Sequence, residues 1–414
     1  MSTQPASSFL TLIPTTRSTK KGADLQAHLQ ARLRKHRESE ALSRISIEPE
    51  NVELTNLLSV RALARKLLAS RISQLNAVVF NAGIGAWSGL NWPLALSSIA
   101  KDITTATAWP AFKLGMAGLV TNPQLPDNKD NTQEPLLGEV FCANVFGHYM
   151  LAHYLMPLLR ACSPDAPGRI IWVGSIEASA RHYNVEDHQG MRSDAAYEHS
   201  KRLADLLAIS SDDQPATSRS VAAFQDPSPG LRVSVDRPML SRPKMYVFHP
   251  GICVTTIISL YWILHQGYLL GITLARVLGS PWSTVYPYTG ARAGTWLLLA
   301  SGDEIKERER QGEGRGKIKW GSAVSRLGSS MVKPTEVEGW GVNGSGEAFK
   351  DTWWGGRFGR APGARDATRE DVEQFVQDGA RVWQEMEKLR VDWESRLEEY
   401  ERAQSSLEQS RRMS

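Results

Sequence analysis

The chain is poor in cysteine: Cys142, Cys162 and Cys253 are all it has in 414 residues, scattered at no metal-binding spacing. A disulfide framework is thereby excluded, and a reducing compartment fits. All three are expected in the core or on helices. Glycine is scarce where it matters most, because Gly22 is the only one ahead of Gly83. A glycine-rich phosphate loop cannot be assembled from that stretch. A charge of one sign is also lacking. Lys and Arg number 48 against 44 Asp and Glu, a formal +4, with the two signs interspersed. That balance gives no support to nucleic-acid binding. The N-terminus has no charged-then-apolar signal pattern, so secretion is not expected. Long apolar runs are few. The main one covers residues 252–278 and is interrupted at His265, Gln266 and Arg276. It is long enough to cross a bilayer. The central polar break favours instead a pair of helices lining a lipid-binding pocket, or a helix lying in the membrane interface.

What is present is enough to bury a large core, with 42% hydrophobic residues. Short apolar runs at 8–14, 45–54, 76–80, 169–174 and 245–249 read as strands. Between them, 22–43, 59–71, 136–159 and 195–209 carry helical patterns. This alternation predicts an α/β fold, a Rossmann-like doubly wound parallel sheet with helices on both faces. Residues 210–243, rich in Ser, Asp, Pro and Arg, read as a flexible insert, and 304–319 as a charged loop. Residues 339–363 are rich in Gly and Trp and are expected to be irregular. From 369 to 402 runs a charged helix with Phe375, Val382, Trp383, Met386, Leu389, Trp393 and Leu397 on one stripe, a docking helix. The expected division is a reductase-like domain over 1–300 and a C-terminal extension over 301–414.

Tyr197 and Lys201 stand four apart in Ala-Ala-Tyr-Glu-His-Ser-Lys, which places them one turn apart on one helix face. Ser175 ends the strand-like run Arg-Ile-Ile-Trp-Val-Gly-Ser. A ketone accepting hydride needs a proton and hydrogen bonds at its oxygen. A tyrosine hydroxyl can supply the proton, a nearby ammonium eases its ionisation, and a serine can hold the carbonyl. Tyr-x-x-x-Lys alone more often marks a packed Tyr beside a solvated Lys. Asn81-Ala82-Gly83 after an apolar strand allows close approach of a nucleotide, or is an ordinary strand-ending turn. Asn144 is a polar residue in an apolar helix, and Pro250-Gly251 a strand stop.

In this order and spacing the group resembles the short-chain dehydrogenase/reductase family, over about residues 8–300. The segments 143–147, 197–203, 278–282 and 319–323 are similar to its fungal sterol-ketone-reducing branch. The resemblance implies NADPH-dependent reduction of the C3 ketone of a sterol intermediate during C4 demethylation. It implies Tyr197 as general acid, Lys201 as its activator and ribose anchor, Ser175 as carbonyl ligand and Asn144 as relay. Asn81, Ala82 and Gly83 would line the adenosine side, with Arg17 facing a 2′-phosphate and Glu53 near the adenine. Pro250, Gly251 and Thr255 would lie on the nicotinamide side. The expected partners are a sterol, other enzymes of C4 demethylation and a membrane surface, at the endoplasmic reticulum or lipid droplets. The family's opening strand and its Thr-Gly-x-x-x-Gly-x-Gly turn are missing here. The sequence is therefore expected to be N-terminally incomplete, to bind NADPH weakly and to leave the strands at 8–14 and 45–54 without their neighbour. Two alternatives stay open: reduction of another lipophilic carbonyl (steroid, retinal or ketoacyl), or a scaffold of sterol enzymes without catalysis.

Overall fold

The computed structural model describes residues 8–35, 43–125, 134–212, 215–228, 240–255, 262–311, 316–346 and 359–413. Near the N-terminus, β1 (Leu10–Leu12) pairs in parallel with β3 (Ile45–Ile47), and β2 (Thr15–Thr16) with β4 (Glu50–Asn51). These pairs lie outside the central sheet. That sheet begins at β5 (Ala77–Phe80), pairs through β8 (Arg169–Val173) and β9 (Lys244–His249) to β10 (Lys319–Val324), all parallel, and closes with antiparallel β11 (Ser330–Thr335). An antiparallel hairpin of β6 (Trp87–Leu90) and β7 (Lys113–Gly115) stands apart. Among the described strands β5 pairs only with β8, and Val79 on it is 37% exposed. The first two strand regions therefore form two parallel pairs separate from the central sheet.

Strand β8 reads as a continuous apolar run because both of its faces are covered. On one side Ile170 and Trp172 join a core with the Leu57–Ala69 helix, the helix through residues 139–154 and the Ala196–Ile209 helix. On the other, Ile171 and Val173 pack with Phe248, Ala293 and Leu297 of the Arg292–Leu299 helix. This is the doubly wound arrangement expected from the alternating elements.

The C-terminal helix, Arg369–Met413, docks as its stripe predicts: Phe375, Val382, Trp383, Met386, Trp393 and Leu397 enter the main core. It runs past residue 402, its exposed end carried by i,i+4 pairs such as Arg402–Glu398. Its polar contacts are buried too. Tyr149 donates to Glu387 at 2.6 Å, and Arg390 bridges Glu387 at 2.8 Å and Glu394 at 2.6 Å.

Three expectations are corrected. The insert is not irregular throughout, because Ser218–Gln225 is a helix whose Phe224 packs 4.3 Å from Tyr149 and 5.5 Å from Trp383, ring to ring. Val221 and Phe224, three apart, give it an apolar edge that the surrounding polar composition masks. The charged loop opens with a helix, Gly302–Arg310, capped where Ser301 Oγ accepts from the Glu304 N–H at 3.0 Å. Residue 300 is no division, since β10 and β11 beyond it complete the central sheet.

Candidate active site

Parallel strands bring their carboxyl ends to one edge of the sheet, and in such folds that edge holds the chemistry. Asn81–Gly83 follow β5, Ser175 follows β8, and Pro250–Gly251 follow β9 there. The Ala196–Ile209 helix brings Tyr197 beside Ser175. Ser175 Oγ also accepts the Glu177 N–H at 3.2 Å. Lys201, one turn on, is buried; its Nζ donates to the Val173 carbonyl at 2.8 Å and lies 5.5 Å from the centre of the Tyr197 ring.

The electrostatics differ from the simple expectation that Lys201 lowers the tyrosine. Burial pushes the Tyr197 hydroxyl up, the Glu177 and Glu198 carboxylates add to this, and Ser175 only opposes it. The site therefore keeps Tyr197 protonated, the form a proton donor requires. Burial brings Lys201 down to about 8, with Asp205 opposing and Lys319 assisting. Reduction measured as kcat/KM is accordingly expected to fall as pH rises through about 8, and Lys201→Arg, which cannot discharge there, is expected to flatten that limb.

Asn144 occupies a π turn, Cys142–Phe146, inside its helix, a distortion often found at functional sites. Its Nδ2 donates to Ile84 O at 3.0 Å and to Ser200 Oγ at 2.9 Å, while its Oδ1 accepts the Ile84 N–H at 2.7 Å. The visible work of Asn144 is to clamp the loop after Gly83 to the Tyr197 helix, rather than to touch Lys201. His148, four residues on, bonds Ala82 O at 3.0 Å and is held neutral by burial, its pKa brought to about 4. Gly251 has φ +70° and stands where a Cβ would meet the Trp282 carbonyl at 2.4 Å, so only glycine fits this turn.

The remaining expected residues are more scattered. Arg17 is exposed in the turn between β2 and the Thr19–Lys35 helix. Glu53 caps its own loop, accepting from the Thr55 N–H at 3.2 Å and hydroxyl at 3.0 Å. The neighbouring Leu54 carbonyl lies against Cys142 and Gly147, which ties this region to the Asn144 helix. Thr255 is exposed, and residues 256–261 after it lie outside the described residues. Cys253 is half-buried in a loop, unlike the buried Cys142 and Cys162.

A cleft of about 1150 Å³ opens beside the site, walled by Trp87, Trp109, Lys113, Glu177 and Glu198. Its volume suits a large lipophilic molecule. The apolar segment was expected to line such a pocket or to lie in a membrane interface. The Trp262–Leu278 helix packs on the Ile103–Ala108 helix and turns Trp262, Leu270, Leu274 and Val277 outward. Tyr268 of this helix weighs on Tyr197. No helix among the described residues is long and apolar enough to cross a membrane.

Two features escape a reading of the sequence. Lys113 reaches the site from the hairpin, and Lys319 reaches Asp205 and the Ser175 carbonyl, each at 2.6 Å. The only local signal for the second was a lysine inside an otherwise apolar or small strand, and an Asp four residues after Lys201.

No family model matches the chain. It is similar to the 3-keto-steroid reductase erg27 of Aspergillus fumigatus, 44% identical over 405 residues that cover 95% of this chain and 88% of that protein. It is also similar to the 3-keto-steroid reductase ERG27 of Gibberella zeae, 35% identical over 96% of this chain and 90% of that protein. Among solved structures, a 7 alpha-hydroxysteroid dehydrogenase complexed with NADH and 7-oxo glycochenodeoxycholic acid is 12% identical with a TM-score of 0.37, covering 70% of this chain and 77% of its own. A score that low supports no conclusion.

Proposed function

We propose a function from one premise: the chain belongs to the fungal 3-keto-steroid reductases, and it carries their short-chain dehydrogenase/reductase motifs. It is an oxidoreductase that reduces the C3 ketone of a sterol to the 3β-hydroxyl in ergosterol biosynthesis. The observation that carries this is Ser175 and Tyr197 side by side at the carboxyl edge of a parallel sheet, with Lys201 one helical turn behind and its Nζ 5.5 Å from the Tyr197 ring centre. The ketone oxygen takes a hydrogen bond from Ser175 and a proton from Tyr197. Burial excludes water, which strengthens both interactions as charge develops on that oxygen. A bound nicotinamide supplies the hydride.

The residues fit one half of such a cofactor. Lys201 has N–H groups beyond its bond to Val173 for ribose hydroxyls, and the exposed Asn81, Ala82 and Gly83 can accept close approach of a nucleotide. Gly251 gives the same access at β9. No glycine-rich turn for the pyrophosphate is found among the described residues. The exposed Arg17 favours NADPH over NADH, through a 2′-phosphate.

We place the enzyme on a membrane surface, at the cytosolic face of the endoplasmic reticulum or a lipid droplet, beside other enzymes of C4 demethylation. In support, Trp92, Leu94, Leu96 and Ile99 are exposed on one helix and Leu270, Leu274 and Val277 on another, both packed against Ile103–Ala108. Leu270→Glu with Leu274→Glu is expected to weaken sedimentation with phospholipid vesicles by about tenfold or more. Unchanged sedimentation would remove the surface assignment. The function itself is tested with the purified chain, a 3-keto sterol and NADPH or NADH. The 3β-hydroxy sterol should form, faster with NADPH. A folded chain that reduces retinal or a ketoacyl substrate but not the sterol would overturn it.

A further inference from the structure

We infer that Lys113 is a positioning residue for the reduction, holding Tyr197 in place through a buried cluster with Glu177 and Glu198; this rests on the reading of Tyr197 as the proton donor. Lys113 lies on β7, far in sequence from the motif residues. Its Nζ is 2.8 Å from Glu177 and 2.5 Å from Glu198, with its side chain only 6% exposed. The ammonium stands 4.4 Å from the Trp87 ring centre and 5.4 Å from that of Tyr197, and the two rings meet edge to face at 5.0 Å. One cation thus joins three elements around the tyrosine: the hairpin through Trp87, the loop after β8 through Glu177, and the tyrosine's own helix through Glu198.

The backbone is built for this approach. At Gly115 a Cβ would lie 1.6 Å from the Asp194 carbonyl, so only glycine lets β7 reach the start of the Tyr197 helix. Glu177 is also the residue whose N–H donates to Ser175 Oγ. Glu177 thus links Lys113, through its carboxylate, to Ser175, through its backbone.

The charge count gives Lys113 its leverage. Two carboxylates face one ammonium beside a phenol, and the other groups around them are Lys201 on the same helix, Tyr268 from the Trp262–Leu278 helix, and Arg181, His182 and Asp194 at the rim. Removing the ammonium leaves two buried carboxylates near the oxygen on which negative charge develops during reduction. Cutting the carboxylates down to one relieves this again.

Lys113→Met is expected to lower kcat by about 10²-fold with little change in KM for the sterol. Lys113→Arg, which keeps the cation, should restore most of the loss. In Lys113→Met the Glu177 carboxyl, already pushed up by burial, loses the ammonium that opposes this, so kcat should gain a limb that falls as pH rises and that the wild type lacks. Adding Glu177→Gln to Lys113→Met should remove that limb and recover rate. A folded Lys113→Met enzyme with unchanged kcat would overturn the assignment. So would a loss equal at every pH that neither Arg nor Glu177→Gln repairs. Tyr197→Phe assayed alongside separates the two readings: if it stays active, the proton-donor reading fails; if it is dead while Lys113→Met is normal, only the role of Lys113 fails.

Discussion

Replacing Tyr197 with Phe is expected to lower kcat for sterol-ketone reduction by about 10²–10⁴-fold, the range for loss of a placed proton donor. The change removes one oxygen and keeps the ring, so the edge-to-face contact with Trp87 and the cation contacts of Lys113 and Lys201 persist. Stability should change little, because the Ser175 Oγ beside the hydroxyl keeps the Glu177 N–H. The decisive assay is steady-state reduction by matched purified proteins, backed by complementation of a fungus lacking 3-ketosterol reductase. Rescue by the wild-type chain and by Tyr197→Phe alike would remove the catalytic claim.

The largest expected effect on stability comes from Lys319. Its ammonium and the Asp205 carboxylate meet at 2.6 Å with side chains 3% and 0% exposed. Burial pushes the carboxyl up and the ammonium down, and each charge keeps the other ionised. Lys319→Met strands Asp205, whose second oxygen has no hydrogen-bond partner among the described residues. Breaking such a pair costs about 3–5 kcal/mol. Urea denaturation at neutral pH should show this as a lower midpoint with an unchanged slope. Lys319→Met combined with Asp205→Leu should recover much of it. A single variant within about 0.5 kcal/mol of wild type, the range of ordinary surface changes, would show that the pair contributes nothing measurable. The same ammonium holds the Ser175 carbonyl, so activity should fall further than stability alone accounts for.

The legible parts of this protein are those with a short period. Ser175, Tyr197 and Lys201 are announced by a strand end and an i,i+4 pair, and the apolar strands by their bounded runs. The docking helix is announced by its tryptophans. Lys113 is illegible for the opposite reason: its partners lie 64 and 85 residues away, and no local pattern links a hairpin lysine to a carboxylate behind a distant strand. The Gly302–Arg310 helix was hidden because it buries a single residue, Ile305, leaving only the Ser301 cap and the acidic first turn as signals. The outward turn of the Trp262–Leu278 helix was equally hidden. Apolar residues on two faces do not say which face meets protein and which meets another medium.

The wide turn at Cys142–Phe146 sets a rule for insertions and deletions in this helix. It takes one residue more than a regular turn, so removing any one residue from it would restore ordinary winding. The two flanks would keep nearly the same phase about the axis, because a regular turn of about four residues covers about the same angle as this wide turn. Asn144, inside the wide turn, would lose its grip on Ile84, whereas His148 and Tyr149 in the regular helix after it would go on facing Ala82 and Glu387. A one-residue gap inside this stretch should therefore cost the Asn144 clamp and little else, whereas the same gap in the regular winding after it would turn everything beyond by about 100°.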